Sequence, residues 1–289
     1  MAGILYLVAT PIGNLEDMTY RAVKVLNEVD IIAAEDTRNS IKLLNHFEIK
    51  KSLTSYHEFN RYDKAEYLVE KLEQGENVAV ITDAGTPGIS DPGEVLVELC
   101  YDRGIRVVPV PGAVAAVNAL VASGQKTRRF AFEAFLPLEK DKKARKELDR
   151  ILEELKRETR TVVIYEAPHR LVSTLELLAK ELGGDRSLTI CKELTKKHET
   201  FWKTTLCEAL AHYQDEGNAP RGEYVLVIAG KSEEELEQEK RLSWEGLTVE
   251  EHIKSYLEQG VDKKEAVKKV AKERGLKKQD VYLVAVNIN

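Results

Sequence analysis

Cysteine is scarce and odd in number: Cys100, Cys191 and Cys207 lie far apart in a chain of 289 residues. That excludes a disulfide framework and a four-ligand zinc site. His198-Glu199 opens like a zincin motif, but the second histidine would fall at 202, which is Trp202. No metal is expected. Long apolar runs are also missing, and none reaches the ~18 residues of a membrane span. The chain runs straight into ILYLVA at 4–9 with no basic segment before it, so the expectation is a cytoplasmic protein without membrane contact. Phosphate-binding spacings are absent as well. There is no GxGxxG, and Gly230-Lys231-Ser232 fails the Walker pattern because Val225 stands where its first glycine belongs. Positive charge is not in excess: 43 Lys and Arg against 49 Asp and Glu leave a net charge of −6. A polyanionic partner must therefore be met by local patches.

What is present is an α/β rhythm. Short Val- and Ile-rich runs at 4–9, 29–36, 77–85 and 105–112 alternate with helix-period stretches at 18–28, 61–74 and 93–103, the pattern of a parallel sheet. A second series at 161–168, 187–194, 200–206 and 223–230 has little helix between its middle members, which predicts a mixed or antiparallel sheet. Residues 123–135 read as a linker into a charged helix, and KSEEELEQEK at 231–240 as an acidic run without apolar periodicity. Three short helices follow, near 248–259, 262–274 and 277–285, with Asp262 and Glu265 spaced as a capping box and Gly275 as a stop. Two α/β domains, 1–122 and 123–232, are expected, with a small helical appendage at 240–289.

Ligands of open parallel sheets sit beyond the carboxyl ends of the strands. The residues there are Pro11 and Gly13, then Asp83, Ala84, Gly85, Pro87 and Gly88, then Pro111, Gly112 and Ala113. Glycine lets backbone approach a ligand closely. Gly and Pro also simply punctuate turns, but three such loops at one sheet edge favour a cleft. Without phosphate spacing, the loops offer Asp83 for a ribose hydroxyl or a cation. Their backbone offers donors and acceptors for an adenine edge and an amino-acid head group. S-adenosylmethionine fits those demands.

Longer motifs sharpen this. LYLVATPIGNLEDMTYRA at 5–22, IAAEDTR at 32–38, TDAGTPGISDPG at 82–93, FLP at 135–137, EAPHRL at 166–171, KELTKKHET at 192–200 and RGEYVLVIAG at 221–230 occur in that order. Together they resemble the tetrapyrrole-methylase superfamily, and within it the branch acting on ribosomal RNA. The resemblance implies two α/β domains of the class III methylase type with the cofactor S-adenosylmethionine between them, and a homodimer. It also implies 2′-O-methylation of a decoding-centre cytidine of 16S rRNA, on the 30S subunit. The sequence departs from the family pattern at PGAVAA, which lacks a second proline and a serine, and at Ala134, where glycine is typical.

Methyl transfer to a ribose hydroxyl requires alignment of the oxygen with the methyl carbon and a group to take the proton. The candidates at strand ends are Glu35 and Asp36, Glu166 and His169, and Lys192 and Glu193. Helix capping, a backbone contact and an ion pair are the competing roles for these three pairs, and the sequence does not choose among them. For RNA, Arg38, Lys126, Arg128, Arg129 and Lys196 are candidates. So are Lys263, Lys264 and Lys268, within a stretch at 261–280 where eight basic residues face four acidic ones. Charge runs on helices are often only solvated faces. A tetrapyrrole methylase of the same fold and a non-catalytic assembly factor are the rival readings; the surface lysines oppose the first and the retained loops the second.

Overall fold

The computed structural model describes residues 1–286 and 288, apart from the side chains at 239 and 240. It divides into two compact units, Met1–Gly230 and Lys231–Asn289. The first unit opens with β1 (Ile4–Val8), β2 (Ile31–Ala34), β3 (Ser52–Ser55), β4 (Val78–Ile81) and β5 (Arg106–Val110), interleaved with α1 (Tyr20–Glu28), α2 (Thr37–His46), α3 (Arg61–Glu73), α4 (Gly93–Asp102) and α5 (Ala115–Ala122). The strands are all parallel in the order β3-β2-β4-β1-β5. β2 and β4, IIAA and VAVI, are buried at every position, as strands covered on both faces must be. Alternation assigns the faces: Ile31, Ala33, Val78 and Val80 pack with Leu68, Leu72 and Leu96, whereas Ile32, Ala34, Ala79 and Ile81 pack with Leu26 and Leu44.

The same unit continues with β6 (Phe130–Phe135), α6 (Lys142–Arg157), β7 (Thr161–Glu166), α7 (Leu171–Leu182), β8 (Ser187–Lys192), β9 (Thr200–Thr205), α8 (Leu206–Gln214) and β10 (Tyr224–Ile228). Its sheet runs β6-β7-β10-β8-β9, parallel only between β6 and β7, so the mixed sheet is present. One face carries α6, α7 and α8 through Leu152, Leu175 and Leu206. The other receives Ala116, Ala119 and Leu120 of α5, together with Ile12 and Leu194, on Val163, Val225 and Val227. The helix that follows the last strand of one sheet thus packs on the other sheet, and the Ala116 amide donates to Tyr165 Oη at 3.0 Å.

Three expectations need correction. The linker assigned to 123–135 contains β6, whose FAFEAF run pairs with β7 and carries a bulge at Ala134; the charged residues before it masked the alternation. β3 was not anticipated, because SLTS is a polar edge strand with too few apolar residues to stand out. The acidic run after Gly230 is the start of α9 (Glu233–Glu245), which Ser232 opens in a capping box with Glu235.

In the second unit α9 is followed by α10 (Val249–Glu258), α11 (Lys263–Arg274) and α12 (Lys278–Val286). Ile253, Val267, Val270 and Val281 form its core. Asp262 caps α11 by accepting from the amides of Lys264 and Glu265, and Gly275 ends it at φ 63°. Arg274 donates to the carbonyls of Trp244 and Leu247 at 3.0 and 2.6 Å, which fastens α9 to α11. Of the tail expected to run to 289, residues 287 and 289 lie outside the described residues.

Candidate active site

The strand order places β4, β1 and β5 side by side, so the three glycine loops leave one edge as neighbours. Thr10 and Gly85 exchange backbone hydrogen bonds of 2.9 and 3.1 Å, and Thr86 Oγ1 donates to the Ala113 carbonyl at 3.1 Å. Gly112 lies so close to the first loop that a Cβ would sit 2.7 Å from that of Ala9. Gly85 has φ 88° and lies under Ile12, so a side chain there would meet both strain and contact. The loops are a single braced structure.

They face the ends of β7, β8 and β10 across a cavity of about 830 Å³, within the range of small-molecule sites. Ile12, Ala84, Gly85, Thr86, Val114 and Ala115 form one wall, and Tyr165, His169, Cys191, Glu193, Leu194 and Lys196 the other. A second hollow of about 410 Å³ adjoins it, bounded by Pro11, Gly13, Asn39, Lys42 and Asp83, and shares Ile12, Ala84, Lys196 and Glu223. Asp83 also braces the turn after β2, its carboxylate accepting from the Asp36 amide at 3.2 Å and from Asn39 Nδ2 at 3.3 Å. Gly88 lies off both walls and donates its amide to both Asp91 oxygens at 2.9 and 2.8 Å. Pro87, Pro111, Gly112 and Ala113 line neither hollow; they shape the loops that Ala84 and Val114 present.

On the opposite wall, Lys196 Nζ bridges Glu193 Oε1 at 2.9 Å and Glu223 Oε2 at 2.8 Å. This pairing holds the Glu193 carboxyl below its ordinary range. Glu193 and Thr195 both adopt positive φ, 53° and 64°, and such strain in non-glycine residues gathers at functional loops. Gly222 makes room, since a Cβ there would lie 2.5 Å from Glu193 Oε1. Thr86, Tyr165 and Gly222 were not anticipated. Gly222 had a legible signal, a glycine two residues before β10 and next to the acid Glu223.

The proton-acceptor candidates separate. Glu166 is fully buried, accepts from the Ala167 amide at 2.8 Å and Thr174 Oγ1 at 2.5 Å, and lies 3.3 Å from Arg170. Its carboxylate therefore anchors the start of α7, a structural role. Asp36 caps α2 and binds Arg38, which holds it down to about 2. Lys192 leaves the cavity and stands 5.9 Å over the Tyr224 ring. Glu35 does not line the cavity; its carboxyl is raised by burial first, then by Asp83 and Asp91. His169 is exposed on the cavity wall, with no hydrogen bond or ion pair to its ring among the described residues.

Of the cations proposed for RNA, Arg38 is engaged by Asp36 and Lys196 by two carboxylates. Lys126, Arg128 and Arg129 are exposed and free of ion pairs among the described residues. Lys263, Lys264 and Lys268 are exposed on α11, with Lys263 Nζ reaching the Ile288 carbonyl. No group of three or more His, Cys, Asp or Glu is placed to hold a metal ion, and no helix is long and apolar enough to cross a membrane, among the described residues.

Comparison with known proteins agrees with this architecture. The family model for tetrapyrrole (corrin/porphyrin) methylases matches residues 4–210. Diphthine synthase shares the fold at 12% identity, TM-score 0.60, over 78% of this chain and 90% of its own. So does uroporphyrin-III C-methyltransferase from Thermus thermophilus, complexed with S-adenyl homocysteine, at 19% identity, TM-score 0.53, over 78% and 97%. Ribosomal RNA small subunit methyltransferase I from Synechocystis is 46% identical over 99% of this chain and 98% of its own length. The Thermotoga maritima protein of that name is 45% identical over 79% of this chain and 99% of its own length. The chain thus belongs to the tetrapyrrole (corrin/porphyrin) methylase family and, within it, to the ribosomal RNA small subunit methyltransferases I.

Proposed function

We propose that the protein transfers a methyl group from S-adenosylmethionine to the 2′-oxygen of a cytidine in the decoding centre of 16S rRNA, with the 30S subunit as substrate. The observation that carries the reading is the convergence of three braced loops from adjacent parallel strands on a cavity closed by the second sheet. The loops supply backbone polar groups, and Ile12, Val114, Ala115 and Tyr165 supply apolar and aromatic surface for an adenosine moiety. The relatives' names support rRNA as substrate, and the neighbour holding S-adenyl homocysteine supports the cofactor.

A sulfonium brings its own electrophilic carbon, so the protein's tasks are alignment and removal of the hydroxyl proton. His169 is the group we assign to that proton, since it alone of the six candidates is both on the cavity wall and unengaged among the described residues. Glu193, Lys196 and Glu223 form the rim that positions the incoming ribose.

The first unit carries the chemistry. The T. maritima relative, whose full length is about that of this unit, supports an accessory role for the α9–α12 unit, which we assign to RNA docking through Lys263, Lys264 and Lys268. Homodimerisation in the cytoplasm completes the reading. Val117 and Val121, 45% and 67% exposed on one side of α5, are the apolar surface it would cover. Nucleoside mass spectrometry of 16S rRNA after reaction tests the position of transfer: 2′-O-methylcytidine is expected, and a base-methylated cytidine instead would overturn it.

A further inference from the structure

Behind the rim that closes the cofactor cavity lies a separate polar hollow of about 320 Å³, walled by Lys192, His212, Glu216, Asn218 and Arg221. The chain's alternation produces it. Glu193 and Gly222 face the cavity, while their neighbours Lys192 and Arg221 face the hollow. Neither Lys192 nor Arg221 has an ion-pair partner among the described residues, so two cations meet one acid, Glu216. The floor is fixed: Asp215 accepts from the Gly217 amide at 3.0 Å and from Asn218 Nδ2 at 3.4 Å, and the Arg221 amide donates to Tyr224 Oη at 3.0 Å. The His212 ring stands edge-on to Trp202, centroids 4.8 Å apart.

We propose that this hollow seats one phosphodiester of the substrate RNA strand, next to the nucleotide whose ribose enters the cavity. The inference rests on the rRNA reading above. A lysine and an arginine lining one pocket with hydrogen-bond donors suit a phosphate's charge and oxygens. Sharing the β8 and β10 ends with the cavity would let one bound phosphate fix the register of the reacting sugar. Glu216 moderates the affinity, which allows product to leave.

The test uses the full chain as wild type and two variants, Lys192→Gln/Arg221→Gln and Glu216→Gln. In a Trp244→Phe background that leaves Trp202 as the reporter, tryptophan fluorescence is titrated with inorganic phosphate and with a short single-stranded oligoribonucleotide, and methylation of 30S subunits is followed in parallel. The double variant is expected to lose the phosphate response, to raise KM for 30S about tenfold, and to lower the salt slope of RNA binding by about 0.7, one single-strand phosphate. Glu216→Gln should shift affinity the opposite way. Cofactor affinity, measured by calorimetry, should be unchanged and reports folding. Identical titrations in wild type and double variant would overturn the seat. So would a lost phosphate response with unaltered KM and slope, which would mark a site for free anions only. If wild type methylates no rRNA while the oligoribonucleotide response still depends on Lys192 and Arg221, the seat stands and the rRNA reading falls.

Discussion

Lys196 lies across Gly13: a Cβ on that glycine would come within 2.5 Å of the lysine Cγ and 2.8 Å of its Cε. The stem of a residue from the second sheet's rim thus covers the first loop of the other sheet while its ammonium bridges Glu193 and Glu223. Gly13 also has φ 152°, a conformation open to glycine but costly for side chains. Gly13→Ala must displace the lysine or distort the loop. S-adenosylmethionine affinity should fall about tenfold, roughly 1.4 kcal/mol, by calorimetry, and an unaltered Kd would detach this contact from the cofactor site.

Replacing His169 by alanine should lower kcat on 30S subunits by about 10²- to 10⁴-fold, the usual contribution of a general base. Cofactor affinity should remain within about twofold. A kcat near wild type would remove His169 from the chemistry and return attention to Glu193.

Glu35 gives a pH-dependent prediction about stability. Its carboxyl is raised by burial and by Asp83 and Asp91, against partial relief from the Asp83 amide and His57. Below the ordinary value of 4.5 both folded and unfolded chains hold the proton, and nothing is lost. As pH rises above that value the unfolded chain releases its proton first, so stability falls until the raised folded value is passed. Glu35→Gln should raise Tm at neutral pH, with the difference disappearing at acid pH. An equal or lower Tm at neutral pH would contradict the burial argument.

Ala134 sits at φ 51° in the β6 bulge. Left-handed backbone costs alanine about 1 kcal/mol, and glycine returns part of that through its freer unfolded chain. Ala134→Gly should therefore stabilise the first unit by about 0.5 kcal/mol in urea unfolding, and destabilisation would show that the alanine methyl contributes packing.

That position shows how far the sequence could be read. Ala134 stands out as a departure from the family's glycine, yet only the backbone shows that a bulge demands positive φ there. The parallel sheet was legible because β2 and β4 are apolar throughout, and the loops because glycine and proline mark strand ends. β3 was hidden at a sheet edge, where pairing rather than hydrophobicity holds the polar SLTS strand, and β6 behind the charged residues that precede its apolar run. At the site, residue type alone placed Glu166 and Lys192 beside His169. A carboxylate buried against Thr174 and Arg170 and a lysine turned to the far side of β8 differ from it in burial, partners and direction, which tertiary packing sets.

One measurement tests the identity of the substrate directly. Methyl-labelled S-adenosylmethionine is offered to the protein with assembled 30S subunits, naked 16S rRNA and a porphyrinogen in parallel. Label should enter the 16S rRNA of the 30S subunits and be absent from the porphyrinogen; label in the tetrapyrrole alone would contradict the account.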